Sequence, residues 1–125
     1  MDLIERLQNA AEGEWRLDYE IARSLGWYEA EVSEHGEIAW FKPDSKIQQL
    51  SGPPHYTTSL DAALTLVPEG CGWKVQRNLN GDCWAVVQRQ DANRRIDIWA
   101  ESDMLKTPAL ALCIAAMKAS EEADG

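Results

Sequence analysis

Two helix-start signals, set on either side of a strand-rich stretch, constrain this chain more than any other feature. Residues 53–64 run Pro-Pro-His-Tyr-Thr-Thr-Ser-Leu-Asp-Ala-Ala-Leu, and residues 107–116 run Thr-Pro-Ala-Leu-Ala-Leu-Cys-Ile-Ala-Ala. In the first, a Thr58 or Ser59 hydroxyl can accept from the free N–H groups of an opening turn, and Asp61 sets its charge near the positive helix end. In the second, Thr107 is a cap and Pro108 takes the first helical position, where its missing N–H is not needed. Leu60, Ala63, Leu64 and Val67 then recur at helical spacing, so one stripe faces a core until Pro68 and Gly70 stop the helix. The second helix is apolar nearly all the way round from Ala109 to Met117 and is expected to be the most buried.

Between these helices, Asn80-Gly81 is the strongest hairpin signal, since both residues accept the positive φ of a type I′ turn. It is flanked by strands over 72–79 and 83–90, and a third strand over 95–99 follows the Asp91-Ala92-Asn93 turn. With Asn80 and Gly81 as the two turn residues, Val75 lies opposite Val86, Arg77 opposite Trp84 and Trp73 opposite Gln88. One face then carries Trp73, Val75, Trp84 and Val86, and the other Cys83, Ala85 and Val87. Apolar content on both faces predicts helices on both faces. Alternation also predicts burial of at least two of Trp73, Trp84 and Trp99.

The N-terminal quarter reads as a helical pair over about 2–25. Leu3, Ile4, Leu7 and Ala11 make a short amphipathic helix, and Leu17, Ile21 and Leu25 make a second, ended by Gly26 in the position of a left-handed cap. The middle, about 33–56, is loop-rich, with a fourth short strand placed at 37–41 and a loop over 42–54. The expectation is one α+β domain over 1–125: an α-β-α layered sandwich around a three-stranded antiparallel meander, with an α-β-β-β-α unit over about 58–119.

Charge narrows the partners. Twenty-one acidic against twelve basic side chains give a net charge of −9, which repels a phosphate backbone. The arginines at 89, 94 and 95 are interleaved with Asp91 and Asp97 and do not reverse that field, so nucleic acid is not an expected partner. The longest mainly apolar run without a charge, 107–117, is too short to cross a bilayer, and the start lacks the basic and apolar regions of a secretion signal. Cys71, Cys83 and Cys113 are an odd set without close pairing, which suits reduced thiols rather than disulfides or a zinc ribbon. Two distant histidines and scattered carboxylates predict no metal site and no cofactor.

The motif pair at 53–64 and 107–118, together with the stretch from Leu17-Asp18 to Leu25-Gly26-Trp27, resembles the phage ABA sandwich domain, a family of small phage and prophage proteins. The likeness covers most of the chain outside 28–52. It implies an α-β-α layered fold, a phage or prophage origin and hence a bacterial host cytoplasm. It implies no activity and no catalytic residues.

Candidate ligand or partner contacts are His55, Tyr56, Thr57 and Thr58 at the first helix start, with Trp27 and Trp40 as aromatic platforms. At that start, backbone N–H groups and hydroxyls could converge on an anion, whereas the plainer expectation is that Thr57, Thr58 and Ser59 cap their own helix. Of Trp15, Trp27 and Trp40, one is expected to be exposed. A Cys71, His55 and Asp61 nucleophilic set can be drawn, yet no signature surrounds the cysteine. The expected function is binding of a host protein or self-association by a non-enzymatic accessory protein. The alternatives are sequestration of a nucleotide-like signal at 56–59, by stacking and phosphate contacts, and an uncharacterised enzyme.

Overall fold

The computed structural model describes residues 2–42, 48–49 and 52–124. They form α1 (Leu3–Gln8), α2 (Trp15–Ser24), β1 (Tyr28–Glu31), β2 (Ile38–Phe41), β3 (Gln48–Gln49), α3 (Leu60–Leu64), β4 (Gly72–Arg77), β5 (Cys83–Gln90), β6 (Ile96–Glu101) and α4 (Pro108–Asp124). The strands make two antiparallel three-stranded sheets, β1-β2-β3 and β4-β5-β6, so the class is α+β with the expected meander present.

Helix ends follow local chemistry. The Asp2 carboxylate caps α1 by accepting the Glu5 N–H at 2.8 Å. At the end of α2, Gly26 has a φ of 93°, its N–H reaches the Arg23 carbonyl, and the Trp27 N–H reaches Ala22. These two bonds are the Schellman pattern, and they turn the Trp27 indole into the core. Ser59, rather than Thr58, caps α3, accepting the Ala62 N–H at 3.2 Å.

The middle of the chain holds more strand than expected. The short strand placed at 37–41 is present as β2, and it pairs with a β1 that the alternating carboxylates of Tyr-Glu-Ala-Glu conceal. The connecting turn is held by the Ser33 hydroxyl, which accepts from the His35 and Glu37 N–H groups, and by Gly36 at a φ of 80°. Of the loop expected over 42–54, residues 43–47, 50 and 51 lie outside the described residues, and Gln48–Gln49 pair with β2 as β3.

The β4-β5 hairpin is shifted by one residue from the expected register. Arg77 lies opposite Cys83, Val75 opposite Ala85 and Trp73 opposite Val87. The Gly81 N–H donates to the Asn78 carbonyl, the Asn78 N–H donates to the Asp82 carbonyl, and Gly81 has a φ of 92° while Asn80 does not take a positive φ. The turn is therefore a three-residue loop of the type I and bulge form, not a two-residue type I′ turn. A one-residue slip regroups the faces. Trp73 and Val75 now share a face with Cys83, Ala85, Val87, Ile98 and Ala100, while Trp84, Val86 and Trp99 lie on the other.

The layering follows from α4. Ala109 to Ala116 are all buried, as the unbroken apolar sequence requires. One side of α4 packs on β4, β5 and β6, and α1 and α3 pack on α4 in turn. Among the described residues, helix packing on the meander is supplied by α4, so the expected placement of helices on both of its faces gives way to a sheet, α4, then α1 and α3. The shifted register explains this, because the strongest apolar set now gathers on the α4 face. The other consequence falls on the tryptophans: Trp73 and Trp99 stay 47% and 45% exposed and Trp84 is half-buried, against the expected burial of two.

Gly81 has open space around its missing side chain, so any cost of substitution is the backbone's own. Gly81→Ala should destabilise by about 1 kcal/mol in urea unfolding, with the m-value unchanged.

Candidate functional site

The segment 52–59, where the sequence concentrates its candidate residues, is a tight turn with several of its polar groups engaged within the protein. The Tyr56 N–H donates to the Pro54 carbonyl at 2.9 Å, and the Ser59 N–H donates to the His55 carbonyl at 2.8 Å. Tyr56 and Thr57 then point inward, and His55 and Thr58 outward.

Thr57 is fully buried against the start of α2. Its N–H donates to Asp18 Oδ1 at 2.8 Å, and its hydroxyl lies 2.7 Å from the same oxygen. The hydroxyl is also 3.1 Å from the Glu14 carbonyl, and it accepts the Glu14 N–H at 2.9 Å. A hydroxyl has one proton, and the shorter, charge-assisted direction is toward the carboxylate. Glu14 is the N-cap residue of α2 and makes no side-chain cap of its own. Thr57 thus completes the start of a helix more than forty residues away rather than capping α3.

Asp18 is only 2% exposed and would be costly to bury unpaired. Thr57 supplies two donors, and the His55 Nδ1 lies 3.7 Å from Asp18 Oδ2 on a ring that is 70% exposed. Gly13 makes the close approach possible: a Cβ there would lie 2.1 Å from the Thr57 carbonyl oxygen. Tyr56 packs in the core beside Trp27, and its carbonyl accepts from the Cys113 thiol at 3.1 Å. Burial raises the Tyr56 phenol above its ordinary value, an effect that the neighbouring Trp27 indole partly offsets. The Trp27 Nε1 itself is buried and has no acceptor in hydrogen-bonding geometry among the described residues.

The sequence candidates are therefore divided. Trp27, Trp40, Tyr56 and Thr57 are core residues, and His55 and Thr58 remain accessible. The exposed member of the N-terminal tryptophans is Trp15, which meets Tyr19 edge-on at 5.3 Å, with Tyr19 in turn 4.9 Å from Trp40. Arg16 lies over Trp15 and Arg23 over Trp40. The proposed nucleophilic set is not assembled: the acidic neighbour of His55 is Asp18, Asp61 is exposed on the first turn of α3, and Cys71 lies toward Arg89 on the meander. Burial pushes the Cys113 thiol far above its ordinary value. Asp18 was missed as a key residue, although a charge within the apolar run Leu17, Ile21 and Ala22 is a detectable signal.

An open cleft of about 510 Å³ lies between α1 and α2, lined by Arg6, Glu12, Glu14, Arg16 and Glu20 among others. Arg6 is paired with Glu20, so carboxylates outnumber the remaining cation. Among the described residues there is no cluster of potential metal ligands, and no helix is long and apolar enough to cross a membrane. Compared with known proteins, the chain matches no family model, no curated protein and no solved structure.

Thr57→Val should destabilise by about 2 to 3 kcal/mol, because it strips a buried carboxylate of a donor and the Glu14 N–H of its acceptor. Gly13→Ala should cost about 3 kcal/mol through the clash with the Thr57 carbonyl. Chemical denaturation of both variants checks these values. A thiol reagent added to the folded chain should modify half-buried Cys71, and should reach Cys83 and Cys113 only after unfolding.

Proposed function

We propose that this is a small phage or prophage accessory protein that acts by binding, either to a host protein or to a second copy of itself. The observation that carries this is the exposure of Trp73 and Trp99 on the meander, at 47% and 45%. Large aromatic side chains left half in water are the usual anchors of protein interfaces, because they desolvate much area at low entropy cost. Tyr28, stacked on Phe41 at 5.6 Å, adds a third exposed ring on the small sheet. The likeness of the 53–64 and 107–118 motifs to the phage ABA sandwich domain supports the origin.

Sequestration of an anionic small molecule at 56–59 draws less support, because Tyr56 and Thr57 face the core and Ser59 serves α3. Native mass spectra of the freshly purified protein separate the two. Binding through the meander predicts oligomer or protein-complex masses that Trp73→Ala or Trp99→Ala weakens by about 2 kcal/mol, roughly thirtyfold. A bare monomer carrying a small mass lost on denaturation would contradict it.

A further inference from the structure

The strand edges of this protein are not protected alike, and the difference singles out β4. In an antiparallel pair, residues alternate between those bonded to the neighbouring strand and those whose N–H and C=O point away from it. The bond from the Asn78 N–H to the Asp82 carbonyl fixes that alternation for β4: Gln76, Lys74 and Gly72 bond to β5, while Trp73, Val75 and Arg77 direct their backbone groups outward. Among the described residues these outward groups have no protein partner.

The other long edges are guarded. On β6, Trp99 and Glu101 direct groups outward, and α4 side chains meet one from each, Glu122 accepting the Trp99 N–H and Lys118 donating to the Glu101 carbonyl. On β1 the bond from the Val32 N–H to Glu37 makes Glu29 and Glu31 the outward residues, so a like edge brought alongside would meet two carboxylates. Among the described residues, only β4 combines a bare backbone with an apolar pair, Trp73 and Val75.

We infer that the β4 edge pairs with the same edge of a second copy, antiparallel about Val75, to join two meanders into one six-stranded sheet. This rests on the proposal that the protein acts by binding, and it names the partner. The register follows from the pairing of Trp73 with Arg77 and from charge. With Val75 opposite its own copy, Trp73 faces the partner's Arg77 on the α4 side of the sheet, and Lys74 faces the partner's Gln76 on the other side. Each Arg77 then lies beside an indole, a favourable cation–π geometry, and no like charges lie directly opposite, the two Lys74 side chains being diagonal neighbours. Sliding by one pair to centre on Lys74 sets two ammonium groups directly opposite. The centred register also matches outward donors to outward acceptors at 73, 75 and 77, as an isologous two-fold contact requires.

Sedimentation equilibrium of the full chain, with amide hydrogen exchange at low and high concentration, tests this. The expected result is a concentration-dependent mass of twice 14.0 kDa, with the amides of Trp73, Val75 and Arg77 gaining protection as the dimer forms. Val75→Pro removes an outward N–H and leaves the β5 ladder intact, so it should weaken dimerisation at least about tenfold while keeping the far-ultraviolet circular dichroism of the fold. If that variant does not fold, exchange in the wild-type chain decides alone. A monomer at every concentration overturns the inference and leaves host-protein binding to be judged by the native masses of Trp73→Ala and Trp99→Ala. A dimer in which the three β4 amides stay unprotected, or which Val75→Pro leaves intact, overturns it too and places self-association on another surface.

Discussion

The buried Asp18 carboxylate and the Thr57 side chain that satisfies it hold the two halves of this protein in register. A carboxylate in the core costs free energy unless donors meet it, and both of those Thr57 provides come from a turn nearly forty residues further along the chain. The same hydroxyl accepts the N–H of Glu14, the N-cap residue of α2, so one residue serves a charge and a helix end together. Gly13 is the geometric condition for this, because the Thr57 carbonyl occupies the space a side chain would need. With the turn anchored there, Tyr56 faces Trp27, the Tyr56 carbonyl meets Cys113 on α4, and α3 starts from a defined point at Ser59.

Much of the architecture was legible from local chemistry. Gly26 as the left-handed cap, Pro108 at the start of α4, and the unbroken apolar run through Ile114 each act within a turn or two of their own position, so they carry their meaning in sequence. The hairpin shows where this stops. Asn80-Gly81 suits two turn types, and the choice between them shifts every side chain of β4 to the opposite face. The face apolar enough to take α4 settled that choice, and packing of this kind is not a local property. β1 was hidden for a similar reason, since its glutamates sit on an exposed edge where strands carry charge to discourage pairing.

The candidate site misled in an instructive way. Prolines, hydroxyls, a histidine and a tyrosine before a helix start look like ligand-binding chemistry, and the same groups are what a buried crossing of two chain segments demands. Asp18 distinguishes the cases: its place between Leu17 and Ile21 commits it to the interior, and a buried carboxylate must recruit nearby donors. What the meander leaves uncovered is instead its exposed tryptophans and the outward backbone of β4, and the proposed binding rests on these.

The account turns on the 52–59 segment being a structural fastener, and the exchange rate of the Thr57 amide measures that directly. Bonded to a buried carboxylate at 2.8 Å, this amide should exchange only through global unfolding, at the free energy of the α4 core amides. Exchange at the rate of an open surface loop, while α4 remained protected, would show that the turn detaches on its own and would contradict the account.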